Sequence, residues 1–550
     1  MIHRPIPGRL RRSAAACLAV LVVLAVLAGA GACTGGDESP TRPDGTGGPG
    51  RVGGTLRILA GSELRDLGGI LEDFQRESGV EVTLEYAGTL DAVDRIAGGR
   101  ADADAAWLAS DRYLHLALDD PKTVVARSTT MMSPVVVGVR PELAQRFGWV
   151  GNSSVTWADV AEKVAVGELT YAMTNPAASN SGFSALTGIA AALAGTADAL
   201  TVDDIRPDAL TSFFSGQVLT AGSSAWLTDA FVRSATPVGA MINYESEILA
   251  LNADRLRSTP LTIIYPRDGI ITADYPLQLL RADRRAAYDA LVSWLRTPDV
   301  QRRLATETHR RPATPGVRID PAPWPTGPLP AELPFPATRA VADQLLTAYL
   351  GRFRRPAHAI FVLDVSPSME GERLALLRST LAGLAGADDS LAGRFTRFRE
   401  RERVTLITFS GVVHRTQEFT VTDPAPGSRD LAAITAAADG LTLGSGTAIY
   451  TALNAAYRYA SDAVGDDPSH LTSIVLMTDG ENNQGETADA FRAAYRALPD
   501  TARAVRTFSV VFGDAQIDEM RAIADETGGA MFDARSSSLS EAFREIRGYQ

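Results

Sequence analysis

Five side chains in the C-terminal third of the chain, Asp364, Ser366, Ser368, Thr447 and Asp479, are the donors of a candidate metal site. All five offer oxygen, and no Cys or His joins them. That set suits a hard cation such as Mg2+, which takes about six oxygen ligands at ~2.1 Å. Two carboxylates do not over-neutralise a divalent ion, and side chains that act partly through water leave it a replaceable ligand. A carboxylate from outside suits that position, so the chemistry predicted here is binding. Taken singly, each segment also reads as a turn capped by Asp or as a solvated hydroxyl. The presence of all three in one chain points to an ion.

The elements that must position these residues are legible nearby. His358–Asp364 is a short apolar run ending in a carboxylate and is followed at once by Val365-Ser-Pro-Ser-Met369. Ser473–Asp479 is a second apolar run ending in Asp, and Gly444-Ser-Gly-Thr447 opens a helix. In an α/β sheet, ligands bind at the carboxyl ends of the strands. Three loops are therefore expected to converge on one point.

The phrases DVSPS, GSGTAIY and TDGENN resemble the metal-ion-dependent adhesion site of von Willebrand factor A domains, and the resemblance spans about 355 to 550. It implies a doubly wound α/β fold. It also implies that Ser366, Ser368 and Thr447 ligate the ion, that Asp364 and Asp479 act directly or through water, and that an acidic residue of a protein partner completes the shell. The implied ion is Mg2+, with Mn2+ or Ca2+ as alternatives. Val505–Phe512 reads as a buried strand, and FGDAQIDEMRAIADETGG resembles the closing strand, helix and turn of the family. Pro367 stands where the family frequently has Gly; it fixes φ and has no amide hydrogen, so it is expected to stiffen the loop.

Enzyme chemistry finds little support, and the protein is expected not to be an enzyme. Gly480-Glu-Asn-Asn-Gln-Gly485 has the glycine spacing of a phosphate loop, but Glu486 stands where lysine is required. In DVSPS, Ser366 occupies the place of the second aspartate of aspartyl phosphatase motifs, and no GxSxG elbow occurs. The six histidines, His3, His115, His309, His358, His414 and His470, are scattered without metal-ligand spacing. Hydrolase is the least favoured class.

Ahead of this domain the chain alternates strand and helix. Thr55–Ala60 is a β-type run, and Leu64, Leu67, Leu71 and Phe74 form a helical stripe. Gly79–Tyr86 alternates as a half-buried strand, giving a parallel pair. Ala105–Ala109, Ser133–Gly138 and Leu261–Tyr265 are further strand candidates. The opening LRILAGSEL, FQRESGVEVTLEYAGT, the loop TNPAASNSG and WLRTPDVQRRL resemble periplasmic solute-binding proteins of the type that includes the molybdate and sulfate receptors. The resemblance implies two α/β lobes joined by crossover strands, placed here near Pro134–Val139 and Ile263–Pro266. Ser62, Thr89, Asn180 and Ser181 stand at probable helix starts, where free amides and the dipole favour a small anionic solute. Tyr244 is positioned to close such a pocket. The same residues also read as ordinary N-caps and loop residues.

The first 33 residues are an export leader: Arg11 and Arg12, an apolar run from Ser13 to Ala32, then Cys33. Ala30-Gly-Ala-Cys33 resembles a bacterial lipobox, which usually has Leu where Ala30 stands, and implies lipidation at Cys33. An uncleaved signal anchor is the alternative, and both leave the body outside the membrane. Residues 34–53 form a Gly/Pro/Thr-rich tether, 54–317 the two-lobed solute-binding-like domain, 318–354 a proline-rich linker with a helix from about Thr338 to Phe353, and 355–550 the von Willebrand factor A domain. Only Cys17 and Cys33 occur, so the body has neither disulfides nor thiolate chemistry. Net charge is −12, and −16 without the four leader arginines, which argues against nucleic acid as a partner. The expected protein is anchored to the bacterial cell membrane and extracytoplasmic. It binds an acidic protein partner through its metal site, with a transporter's substrate-binding receptor as the alternative.

Overall fold

Leu56, Ile58, Leu59 and Ala60 are all fully buried, and this puts strand Gly54–Ala60 inside a sheet. The computed structural model describes residues 53–550 except 235, 236, 326, 512, 514, 515 and 536–538, and the side chains of 540, 541 and 544 are likewise undescribed. The leader, Cys33 and nearly all of the tether therefore lie outside the described residues. From Arg51 onward the chain forms one unit.

Gly54–Ala60 pairs in parallel with Val80–Tyr86 and with Ala105–Trp107. The apolar stripe between them is buried, but as two pieces: a 3-10 turn over Ser62–Leu67 and an α-helix over Gly68–Ser78. Gly68 and Gly69 sit at the break, where glycine's low helix propensity makes one continuous helix costly. Gly79, at φ 75°, ends the helix in the left-handed conformation that glycine adopts without strain.

The first sheet runs Val80–Tyr86, Gly54–Ala60, Ala105–Trp107, Pro276–Leu279, Ala126–Thr129, the last two antiparallel to their neighbours. The second is built on Met131–Val139, which pairs antiparallel with Ala240–Tyr244; Tyr171–Thr174 and Gln217–Ala221 extend it in parallel. The chain crosses between these lobes at Thr130 and between Ala273 and Pro276, where Thr130 Oγ1 donates to Tyr275 O at 2.7 Å. The expected crossovers, Pro134–Val139 and Ile263–Pro266, lie instead within or beside strands of the second lobe. An apolar run marks a buried strand without marking which distant strand it pairs with, so the crossing point has no local signal.

The third sheet runs Val413–Thr420, Arg403–Phe409, Ala357–Asp364, Leu471–Thr478, Arg506–Val511, Met531–Asp533, and only its first strand is antiparallel. Every residue of the central strand Ala357–Asp364 is buried, as expected where helices cover both faces. Ile360 and Val362 face Leu453 and Tyr457 of helix Ile449–Asp466, while Ala359, Phe361 and Leu363 face Leu377 and Phe543 on the opposite side. This period of two is the strand pleat.

The last domain packs on both lobes. On the second lobe, the C-terminal helix Leu539–Gly548 is wedged between the sheet and residues around Trp226 and Phe231, with Phe543 over Phe361 and Tyr549 against Trp226. Asn175 Nδ2 donates to Arg547 O at 3.2 Å, and a Cβ on Gly548 would stand only 2.5 Å from Gly222 Cα. On the first lobe, Leu391 and Phe395 join the apolar cluster that contains Leu90 and Val93. The segment expected as a linker is also packed. Helix Arg339–Ala348 continues as a π-type turn to Phe353; Tyr113 of the first lobe donates to Asp343, and Tyr349 donates to Gln217 of the second at 2.9 Å.

Candidate functional site

Strands Ala357–Asp364 and Leu471–Thr478 are parallel neighbours with Leu363 opposite Met477, so Asp364 and Asp479 leave the sheet side by side. Asp364 is fully buried and accepts from Ser366 N at 2.7 Å and from Thr478 Oγ1 at 2.6 Å. Burial pushes its carboxyl above the ordinary range, and the bonds from Thr478 and Ser366 pull the other way. Pro367 opens a single 3-10 turn, Pro367–Met369, that presents Ser366 and Ser368 together. Their hydroxyls lie 2.9 Å apart, and Ser368 Oγ donates to Asp479 Oδ1 at 2.8 Å.

The third loop is clamped by backbone. Gly444 N donates to Val365 O at 2.7 Å, Gly411 N to Ser445 O at 2.8 Å and Ala448 N to Ser410 O at 2.8 Å. Helix Ile449–Asp466 starts two residues beyond Thr447. Thr447 N donates to Asn483 Oδ1 at 2.8 Å, and Thr447 O accepts from Asn483 N at 2.9 Å. A Cβ placed on Gly480 would stand 3.6 Å from Ser368 Oγ and 3.7 Å from Thr447 Oγ1, so the three loops meet at that glycine. Ser366, Thr447, Asp364 and Asp479 are buried and Ser368 is exposed, which leaves the cluster open to solvent on one side. The donor set fits a hard divalent cation: two carboxylates and three hydroxyls, with no nitrogen or sulfur. Among the described residues, no group of three or more His, Cys, Asp or Glu is placed to hold a metal. Sequence reasoning missed Thr478, which anchors Asp364, and Arg373, which pairs with Asp479 Oδ2. Thr478 lies within the quoted strand, whereas nothing local marks Arg373.

The solute-site candidates divide. Asn180 and Tyr244 come together, Asn180 Nδ2 donating to Tyr244 Oη at 2.9 Å. Ser181 is committed to a hydroxyl cluster within its own lobe, with Thr174 at 2.8 Å, Ser224 at 2.9 Å and Ser179 at 3.1 Å. Ser62 and Thr89 are the first residues of their helical turns, with Gly61 and Gly88 as the caps, and a Cβ on Gly88 would stand 3.0 Å from Ala178 O of the second lobe. The N-cap Ser179 makes no side-chain capping bond. Charged groups not expected from the sequence gather beside Tyr244. Arg310, 1% exposed, donates to Asp66 at 2.6 Å and to Glu63 O at 2.7 Å and lies over the Tyr275 ring. Burial pushes the Glu63 carboxyl up and that of Glu247 up to about 7.

Residues 56–307 match the family model of bacterial extracellular solute-binding proteins, and residues 359–545 match that of the von Willebrand factor type A domain. The chain thus joins a bacterial solute-binding domain to a von Willebrand factor A domain in one mixed α/β protein. An uncharacterized protein of Synechocystis, sll0103, is 30% identical over 195 residues, 35% of this chain; the match spans 41% of that relative's length. Similar solved structures include the sulfate-binding protein SubI from Mycobacterium tuberculosis, at 20% identity and TM-score 0.40 over 53% of this chain and 98% of that one. A ferric binding protein from Campylobacter jejuni follows, at 13% identity and TM-score 0.41 over 54% of this chain and 98% of its own. No helix among the described residues is long and apolar enough to cross a membrane.

Proposed function

We propose that the protein is an extracytoplasmic binding protein, held to the bacterial membrane by lipid on Cys33, whose von Willebrand factor A domain grips an acidic residue of a protein partner through Mg2+. Mn2+ and Ca2+ are the alternative ions. The observation that carries this reading is the meeting of three loops at Gly480, where Ser368 Oγ and Thr447 Oγ1 flank one point and the hydroxyl chain links Ser366 to Asp479. Asp364, Ser366, Ser368, Thr447 and Asp479 would hold the ion, which supplies the positive charge that a carboxylate seeks. Buried Thr478 and the Asn483 amide keep the donors preorganised, so ion binding need not order the loops. The protein acts by binding and not as an enzyme.

The second reading is a substrate-binding receptor of an ABC-type transporter, favoured by the solute-binding family match over 56–307. The packed helix Arg339–Ala348 and the C-terminal helix weigh against it, because a receptor that closes on solute needs lobes free to move. Metal-dependent capture of a partner that is lost on replacing Asp479 by Asn supports adhesion. Tight binding of a small solute that is unchanged by chelator supports the transport receptor. Mass measurement of the mature N-terminus tests the anchor: a diacylglyceryl Cys33 supports it, and an intact leader replaces it with a signal anchor.

A further inference from the structure

Asp479 divides its two oxygens between partners of different kind. Oδ1 accepts from Ser368 Oγ at 2.8 Å, and Oδ2 is paired with the guanidinium of Arg373. Arg373 stands in the first turn of helix Glu372–Ala382, and its Nη1 also donates to Ser368 O at 3.2 Å. The contact is seated in a place shaped for it. Gly513, at φ 73°, lies against the guanidinium, and a Cβ there would stand 2.7 Å from Arg373 Cζ. The Asp479 side chain is wholly buried in this pair, whereas that of Arg373 is 32% exposed and can leave toward solvent.

We infer that Arg373 is an internal counter-ion that competes with the divalent cation for Asp479 and thereby weakens and tunes metal binding; this rests on the metal-site reading proposed above. With Arg373 on Asp479, the five-donor cluster has one net negative charge in place of the two that its carboxylates would offer. An incoming cation must displace the guanidinium or share Asp479 with it. Both alternatives cost affinity, because a positive charge next to a divalent ion is repulsive even when partly screened. The same arrangement keeps two buried, adjacent carboxylates from facing each other unneutralised when no ion is bound. Arg373 is thus a positioning residue that acts on the ion through Asp479.

The test is calorimetric titration of the full chain with Mg2+ for the wild type, Arg373→Gln and Arg373→Lys, with thermal unfolding in chelator to show that each variant is folded. Glutamine removes the charge and should tighten Mg2+ by at least about tenfold, with a weaker dependence of affinity on salt; lysine keeps the charge and should stay within about threefold of wild type. Equal affinity in all three would overturn the competition while leaving the metal site standing. Weaker binding in Arg373→Gln would also overturn it and make Arg373 a loop support. No Mg2+ binding in any of the three would sink the metal-site reading itself.

Discussion

Replacing Asp364 by asparagine separates the charge of the site from its shape. The carboxylate is fully buried and accepts two hydrogen bonds, from Ser366 N at 2.7 Å and Thr478 Oγ1 at 2.6 Å. Asparagine keeps the first through its carbonyl oxygen and meets the second with its NH2, since a threonine hydroxyl can turn and accept. Two neutral bonds replace two charge-assisted ones, but a buried charge is removed as well. Stability in chelator should therefore change by no more than about 1 kcal/mol. Cation affinity should not survive. A unit charge ~4 Å from another is worth about 4 kcal/mol near a protein surface, and a loss of that size is roughly a thousandfold in dissociation constant. A wild-type protein at about a hundred times its dissociation constant gains about 2.7 kcal/mol from the ion, several degrees in Tm. The assay is thermal unfolding of the full chain in millimolar Mg2+ and in chelator, with native mass spectra to count bound ions. A variant whose Tm rises with Mg2+ as much as the wild type's would refute the assignment, and so would a wild type that does not respond.

Three further outcomes follow from packing and charge. Glu402 is paired with Arg354 at 2.5 Å and Arg547 at 2.7 Å, all three nearly inaccessible, so Glu402→Ala should cost about 3–5 kcal/mol in denaturant unfolding by leaving two buried guanidiniums uncompensated; a loss under about 1 kcal/mol would contradict this. Burial pushes the His358 imidazole down to about 4, below the ~6.5 of an unfolded chain. The unfolded state therefore binds the proton more readily: the contribution is fully present above pH ~6.5 and is lost as pH falls through about 4, up to roughly 3 kcal/mol. His358→Asn should flatten that part of the stability profile, and an unchanged slope would show that the imidazole is not held neutral. Gly548→Ala should cost about 1–3 kcal/mol, because its Cβ would meet Gly222 Cα at 2.5 Å and lift the C-terminal helix from the second lobe; a variant as stable as the wild type would refute that close approach.

The metal-site candidates were legible because each element that carries them is local. An apolar run ending in Asp is a buried parallel strand whose carboxyl end lies at the rim of the sheet, and the glycines around Thr447 announce a tight loop before a helix. The solute-site candidates were legible only as helix starts. Whether Ser181 faces a cleft or its own lobe depends on Thr174 and Ser224, seven residues before it and 43 after. The gathering of Glu63, Asp66 and Arg310 beside Tyr275 joins segments more than 200 residues apart, and no periodicity encodes it.

The amino-acid sequence by itself thus determined the two α/β modules, their order and the oxygen-bearing residues of the candidate metal site, because strand pleat, helix period and loop chemistry act over a few residues. Only the tertiary structure decided where the chain crosses between lobes, that the proline-rich segment and its helix lie packed across both of them, and that the C-terminal helix docks on the second. It also decided that Arg373 sits on Asp479. Those features are set by which buried surfaces and charges find each other across long stretches of chain, and such pairings leave no mark on the local pattern of residues.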